Sequence, residues 1–215
     1  MTETAAGVQQ MIQPESFAFS PENAKAAEEI VARYPEAGRR SAVMPLLELA
    51  QRQEGWLPRA AMDRVAEMLR LPKIRVYEVA TFYTMYNLKP VGRLHVKICT
   101  NIACWLRNAP EVVRAARDVF GVGFGRTTAD GGATLAETEC LGACVNGPVM
   151  QVNDDLYTDL TYDSAKAILE ALARGEKPKA GSQTGRTGAC PAGGPTTLTG
   201  EADDKPRAQP AKEAT

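Results

Sequence analysis

Cysteines occur in this chain as two close pairs, Cys99-Thr-Asn-Ile-Ala-Cys104 and Cys140-Leu-Gly-Ala-Cys144, with 35 residues between them. Four converging thiolates are what a tetrahedral metal site or an iron–sulfur cluster requires, so any fold must bring these two distant stretches together. A fifth cysteine, Cys190, stands apart. An odd number excludes a purely disulfide framework, and in a reducing compartment paired cysteines act as metal ligands or redox groups. The first nineteen residues carry Glu3 and Glu15 and neither Lys nor Arg, unlike a secretory signal or an Arg-rich transit peptide. That pattern predicts a chain that remains in the compartment where it is made.

With 215 residues, 44% of them hydrophobic, the chain can bury a core of ordinary size. The net charge is −1 and the basic residues are scattered, which predicts no nucleic-acid partner. No apolar run approaches the ~18 residues of a membrane span, so no direct membrane insertion is expected.

Along the chain, residues 1–19 read as a flexible lead. Residues 20–90 read as a bundle of three or four short helices. Ser20-Pro21-Glu22 starts the first with a cap, an early proline and an acid at the positive dipole end, and the helix is expected to run to Tyr34. Ser41 opens the second, with Val43, Leu46, Leu47 and Leu49 on one side. Pro58 starts the third, whose Met62, Val65, Ala66 and Leu69 recur at helical spacing, and Pro72 restarts the chain towards Phe82. Each helix is amphipathic, so each must pack on another.

At Gly92 the period changes from helical to two. Leu94, Val96 and Ile98 alternate with His95 and Lys97, predicting a strand that delivers Cys99 at its end. Asn108-Ala109-Pro110-Glu111 starts a helix with Val112, Val113, Ala116, Val119 and Phe120 on its buried face, and Gly121 stops it. A Gly-rich loop to Gly132 leads into a strand over 134–139 that ends at Cys140. Strands over 149–152 and 156–158, joined by Asn153-Asp154, form a hairpin, and Thr161 caps a last helix ended by Gly175. The order β-α-β-β-β-α over 91–176 describes an α/β (α+β) domain with helices packed on a sheet. From 177 to 215 the composition predicts an extended or disordered tail without a core.

Both thiol pairs thus follow strands, and parallel neighbouring strands would bring their loops to one sheet edge. Zinc tolerates these spacings, although its ribbons favour tighter knuckles. Dithiol redox enzymes need C-x-x-C and bacterial [4Fe–4S] runs need C-x2-C-x2-C, and neither occurs. An opening C-x4-C is found in plant-type [2Fe–2S] proteins, whose following C-x2-C is missing here. Spacing therefore favours iron–sulfur over zinc and leaves both open. In a [2Fe–2S] group, two ferric ions, two sulfides and four thiolates sum to a dianion, which reduction makes a trianion. Backbone N–H groups must then approach the sulfurs. The small residues Thr100, Asn101, Ala103, Gly142, Ala143 and Gly147 permit that approach, so a one-electron carrier is the expected function.

Three stretches carry a resemblance to a known family. They are Cys99-Thr-Asn-Ile-Ala-Cys104-Trp-Leu-Arg, Glu139-Cys-Leu-Gly-Ala-Cys144-Val-Asn-Gly-Pro-Val-Met-Gln-Val-Asn and Glu78-Val-Ala-Thr-Phe-Tyr-Thr-Met-Tyr86. Over residues 20–175 the chain resembles the small iron–sulfur subunit, the E-type subunit of bacteria, of respiratory NADH:quinone oxidoreductase (complex I). The resemblance implies an N-terminal helical bundle followed by a thioredoxin-like ferredoxin domain. It implies one [2Fe–2S] cluster on Cys99, Cys104, Cys140 and Cys144, with FMN and NADH bound by a partner flavoprotein subunit. It further implies the large iron–sulfur subunit as a second partner, a peripheral place on the cytoplasmic side of a bacterial inner membrane, and a role within a translocase with no complete active site on this chain. The equivalent subunit of an NAD-linked hydrogenase or formate dehydrogenase diaphorase is the alternative, and a structural zinc module a further one. The segment 181–198 is similar to the C-terminal extension of mitochondrial-type members, with Cys190 as a free thiol.

Single residues have plainer readings. His95, the only histidine, reads as an outward polar residue of its strand, and Arg107 as a solvated arginine. Trp105 either shields the thiol site or faces a partner, with core packing as the alternative. Phe82, Tyr83 and Tyr86 read as helix-face packing.

Overall fold

The computed structural model describes residues 13–186. The chain divides into two compact units. One takes in the chain up to Leu94 together with Thr127–Thr134; the other takes in His95–Arg126 and the described chain from Leu135 onward.

The first unit is helical: α1 (Pro21–Ala32), a 3-10 segment (Glu36–Ala42), α2 (Val43–Glu54), α3 (Arg59–Leu69) and α4 (Lys73–Phe82). The Ser20 hydroxyl accepts the Asn23 N–H at 3.2 Å and caps α1, which stops at Ala32, two residues short of the expected Tyr34. Ser41 lies inside the 3-10 segment rather than at a helix start, and α2 begins two residues later. Gly55 ends α2 at φ 77°. Leu46, Leu47, Ala50, Ala61, Val65, Val76 and Ala80 form the centre of the helical core. Tyr86 joins it, with its hydroxyl donating to the Met44 carbonyl, but Phe82 is 76% exposed. Tyr86 therefore packs in the core from beyond the end of α4, whereas Phe82 and Tyr83 are exposed and the helix-face packing expected of the three is not found.

The lead-in is more structured from residue 13 than its composition predicts. Phe17 and Phe19 meet edge to face at 5.0 Å and pack on the helical core. The Gln53 amide ties Ala18, Ser20 and Asn23 to α2.

The sheet comprises β1 (Leu94–Cys99), β2 (Arg126–Thr127), β3 (Ala133–Thr138), β4 (Met150–Val152), β5 (Asp155–Thr158) and β6 (Gly181–Ser182), in the order β2-β3-β1-β4-β5-β6. The N–H of Leu94 donates to Gly132 O, and that of Thr100 to Thr138 O. The constant offset means that β1 and β3 run parallel. β4 is antiparallel to both β1 and β5, and the Val152↔Asp155 pairing leaves Asn153-Asp154 as a two-residue hairpin loop. Gly92 is confined by its neighbours: a Cβ there would stand 2.8 Å from the Ala133 backbone carbon.

In the second unit α6 (Ala109–Phe120) packs against α7 (Tyr162–Ala173). α6 buries Val112, Val113, Ala115 and Ala116 and stops at Gly121 in the left-handed region. Asn108 occupies the cap position in that same region, φ 73°, and its side chain makes no capping bond, contrary to the expectation. Thr161 does cap α7, through a reciprocal box with Ser164. The predicted loop before β3 contains the short β2. Within the segment expected to be an extended or disordered tail, β6 pairs parallel with β5 through Tyr157↔Gly181 and Thr158↔Ser182. Cys190 lies outside the described residues.

Candidate metal centre

Parallel β1 and β3 deliver Cys99 and Cys140 at the same edge. Three hydrogen bonds join the strand ends: Thr100 N–H to Thr138 O (3.1 Å), Thr100 hydroxyl to Glu137 (2.7 Å) and Cys99 thiol to Glu139 O (3.2 Å). From the other side β4 contributes its approach, with Cys99 N–H donating to Val149 O at 3.1 Å.

Cys104 lies within α5 (Ile102–Leu106), a five-residue helix capped by Asn101, rather than on an open loop. The helix turns the thiol inward, where it lies buried beside Cys99 and the Val149 backbone. Cys140 and Cys144 stand on the opposite loop with sulfurs 3.5 Å apart. The loop is shaped by two glycines. Gly142, at φ 77°, donates its N–H to Cys140 Sγ at 3.3 Å. Gly147 leaves room for a sulfur, since a Cβ there would come within 3.3 Å of Cys104 Sγ.

The four thiols predicted from the sequence thus stand as two pairs, Cys99 with Cys104 and Cys140 with Cys144, near enough for charge on one pair to act on the other. They differ in exposure: Cys99 and Cys104 are each 1% exposed, whereas Cys140 and Cys144 face the surface. Among the described residues no three His, Cys, Asp or Glu side chains gather as a site for a single ion.

The electrostatics show what such a site demands. Burial pushes the Cys104 thiol up to about 12, helped by the neighbouring Cys99 and Cys144. Cys144 is raised through its contacts with Cys140, while the Gly142 N–H lowers Cys140. Holding Cys104 and Cys144 as thiolate ligands therefore needs cationic compensation. Donor set, the amide-to-sulfur bond and the space at Gly147 together fit an iron–sulfur group.

His95 is half-buried rather than outward; burial, and then Lys97, push its imidazole down to about 4, and it stands away from the thiols along β1. Trp105 is 59% exposed, which removes the core-packing reading. Arg107 is exposed. Sequence reasoning missed Asp159 and Arg186, which hold the turn behind Cys144; a buried acid paired with a tail arginine leaves no local sequence signal.

Among the described residues no helix is long and apolar enough to cross a membrane. The family model for thioredoxin-like [2Fe–2S] ferredoxin matches residues 27–173. The NADH-quinone oxidoreductase E subunit of Rickettsia conorii is 52% identical over 158 residues, which cover 73% of this chain and 95% of that protein. Its counterpart in Rickettsia bellii is 50% identical over the same shares. Among solved structures, an NAD+-reducing [NiFe]-hydrogenase in the H2-reduced state has the same fold over 62% of this chain and 22% of its own, with a TM-score of 0.53 and 19% identity. The chain belongs to the thioredoxin-like [2Fe–2S] ferredoxin family.

Proposed function

We propose that Cys99, Cys104, Cys140 and Cys144 hold one [2Fe–2S] cluster and that the chain is a one-electron carrier subunit of NADH:quinone oxidoreductase. The observation that carries the reading is the approach of two thiol pairs to each other, with the Gly142 N–H aimed at the Cys140 sulfur. Relatives named as the E subunit of that oxidoreductase match over nearly their full length. A [2Fe–2S] cluster in this place supplies a centre that takes up and releases single electrons. The chain's own residues do the rest. Cys99 and Cys104 anchor the buried side, Cys140 and Cys144 the exposed side, and the Gly142 N–H tempers the negative charge on the Cys140 sulfur.

In this reading the electron comes from FMN on a neighbouring NADH-oxidising flavoprotein subunit, and the large iron–sulfur subunit is a further neighbour. Ile102, Trp105 and Leu106 on α5, and Val145 beside Cys144, are each at least 59% exposed and flank the exposed thiols. Apolar side chains of this size around a redox site suit burial against another protein. The complex would place the chain peripherally on the cytoplasmic side of the inner membrane. A hydrogenase or formate dehydrogenase diaphorase is the competing assembly, and the hydrogenase likeness supports it at the level of fold alone.

Affinity purification of the tagged chain from its own cells tests the reading. Flavoprotein and quinone-reducing membrane subunits are expected in the eluate. Recovery with hydrogenase or formate dehydrogenase subunits instead would replace this reading with the alternative.

A further inference from the structure

The turn Cys144–Asn146 presents an exposed thiol, and its fixation comes from residues far along the chain. Asp159, only 7% exposed, follows β5 at φ 55°. Its N–H donates to Asn146 O at 2.7 Å, and its Oδ2 accepts the Asn146 amide at 3.1 Å. The same Oδ2 accepts the Ser182 hydroxyl at 2.7 Å, and Oδ1 accepts Arg186 Nη1 at 3.1 Å. Arg186 then extends Nη2 to Val145 O at 3.4 Å, and its own N–H donates to the Ser182 hydroxyl. β6 holds this segment in register against β5. The two residues that follow Cys144 are therefore gripped by Asp159 and by Arg186 together.

We propose that Arg186, acting with Asp159, is a positioning residue for Cys144, and that the segment 181–186 is a clamp on the turn presenting the second thiol pair. The matched ferredoxin domain ends at residue 173, so the clamp lies beyond it. The side chains of the ion pair are 11% and 4% exposed, so removing the arginine leaves a buried carboxylate without its counter-charge and releases Val145 O. The consequence at the metal rests on the cluster reading; the clamp itself does not.

Two measurements on the full-length chain separate these claims. In the iron-free protein, Arg186→Ala is expected to speed hydrogen exchange at the Asn146, Gly147 and Asp159 amides about tenfold, with α6 amides unchanged. In the iron-loaded protein the same variant is expected to shift the EPR g-values of the reduced state and to speed iron release to a chelator. Arg186→Lys, which keeps the charge but not the fork, should recover part of both effects. Unchanged exchange at the turn would overturn the clamp. So would equal acceleration in α6, which would mean general loosening. Faster exchange with unaltered EPR would overturn the positioning role. If the unaltered chain gives no iron–sulfur spectrum, the cluster reading fails, and the exchange measurement alone decides the clamp.

Discussion

Gly142 donates its backbone N–H to the sulfur of Cys140 across 3.3 Å, and it does so from a left-handed conformation, φ 77°, that only glycine adopts without strain. One backbone choice thus shapes a loop and lowers the proton affinity of the thiol it carries. The same economy recurs at Gly147, where the absence of a side chain makes room for Cys104.

Replacing a thiol separates ligands from bystanders. Cys140→Ser is expected to shift or weaken the iron–sulfur signal in EPR and visible absorption, because serine oxygen replaces one of four sulfur donors. Cys190→Ser should leave both spectra unchanged. Loss of the signal in the Cys190 variant would place a ligand in the C-terminal segment.

Gly147→Ala tests the space beside Cys104. Its backbone, φ −64°, accepts alanine, so the obstacle is the contact of 3.3 Å with Cys104 Sγ. Overpacking of this kind costs about 1–3 kcal/mol. The iron-loaded variant should therefore melt lower and lose iron faster, as followed by loss of visible absorption during heating. Indistinguishable melting and iron loss would mean that the loop yields freely.

His95 sets a pH dependence. Its folded value near 4 lies below the ordinary 6.5, because burial, and secondarily Lys97, disfavour the cation. A group with a depressed folded pKa contributes stability above its unfolded value, and that contribution is lost as pH falls through the folded one. Stability should decline between about pH 6.5 and 4. His95→Gln, which cannot titrate, should flatten that part of a melting-temperature profile in the iron-free chain. An equally steep profile in the variant would assign the decline to other groups.

The capping box of α7 contributes to the stability of the second unit. Thr161→Ala removes the acceptor for the Ser164 N–H and leaves only the other half of the box, the residue-161 backbone N–H on Ser164 Oγ. The expected cost is about 1 kcal/mol. In a chain of this size that reads as a fall in melting temperature of about 2–4 °C. Thr161→Asp, which restores an acceptor, should recover most of it.

The thiol geometry was legible in the sequence for local reasons. Alternation at Leu94, Val96 and Ile98 defines a strand leading into Cys99, and all three side chains are buried. Asn153-Asp154 between two short apolar runs defines a hairpin, and Ser20 and Thr161 mark helix starts that form as expected. What escaped depends on distant partners. β6 is two residues long and exists because β5 offers an edge, and Arg186 is ordered because Asp159 is buried beside it. Asn108 looked like a capping side chain, yet its left-handed backbone sends the chain from α5 into α6 without a cap. Phe82 follows the helical spacing of a packed residue but projects from the end of α4, where exposure and not periodicity decides.

EPR of the dithionite-reduced chain, with iron and sulfide assayed on the same sample, decides whether the four thiols hold a [2Fe–2S] cluster. About two irons and two sulfides per chain, with an axial or rhombic S = 1/2 signal that appears on reduction, is the expected result. That signal should be altered by Cys99→Ser, Cys104→Ser, Cys140→Ser and Cys144→Ser alike. A colourless, EPR-silent protein carrying zinc on the same four thiols would contradict the electron-carrier function and leave a structural metal in its place.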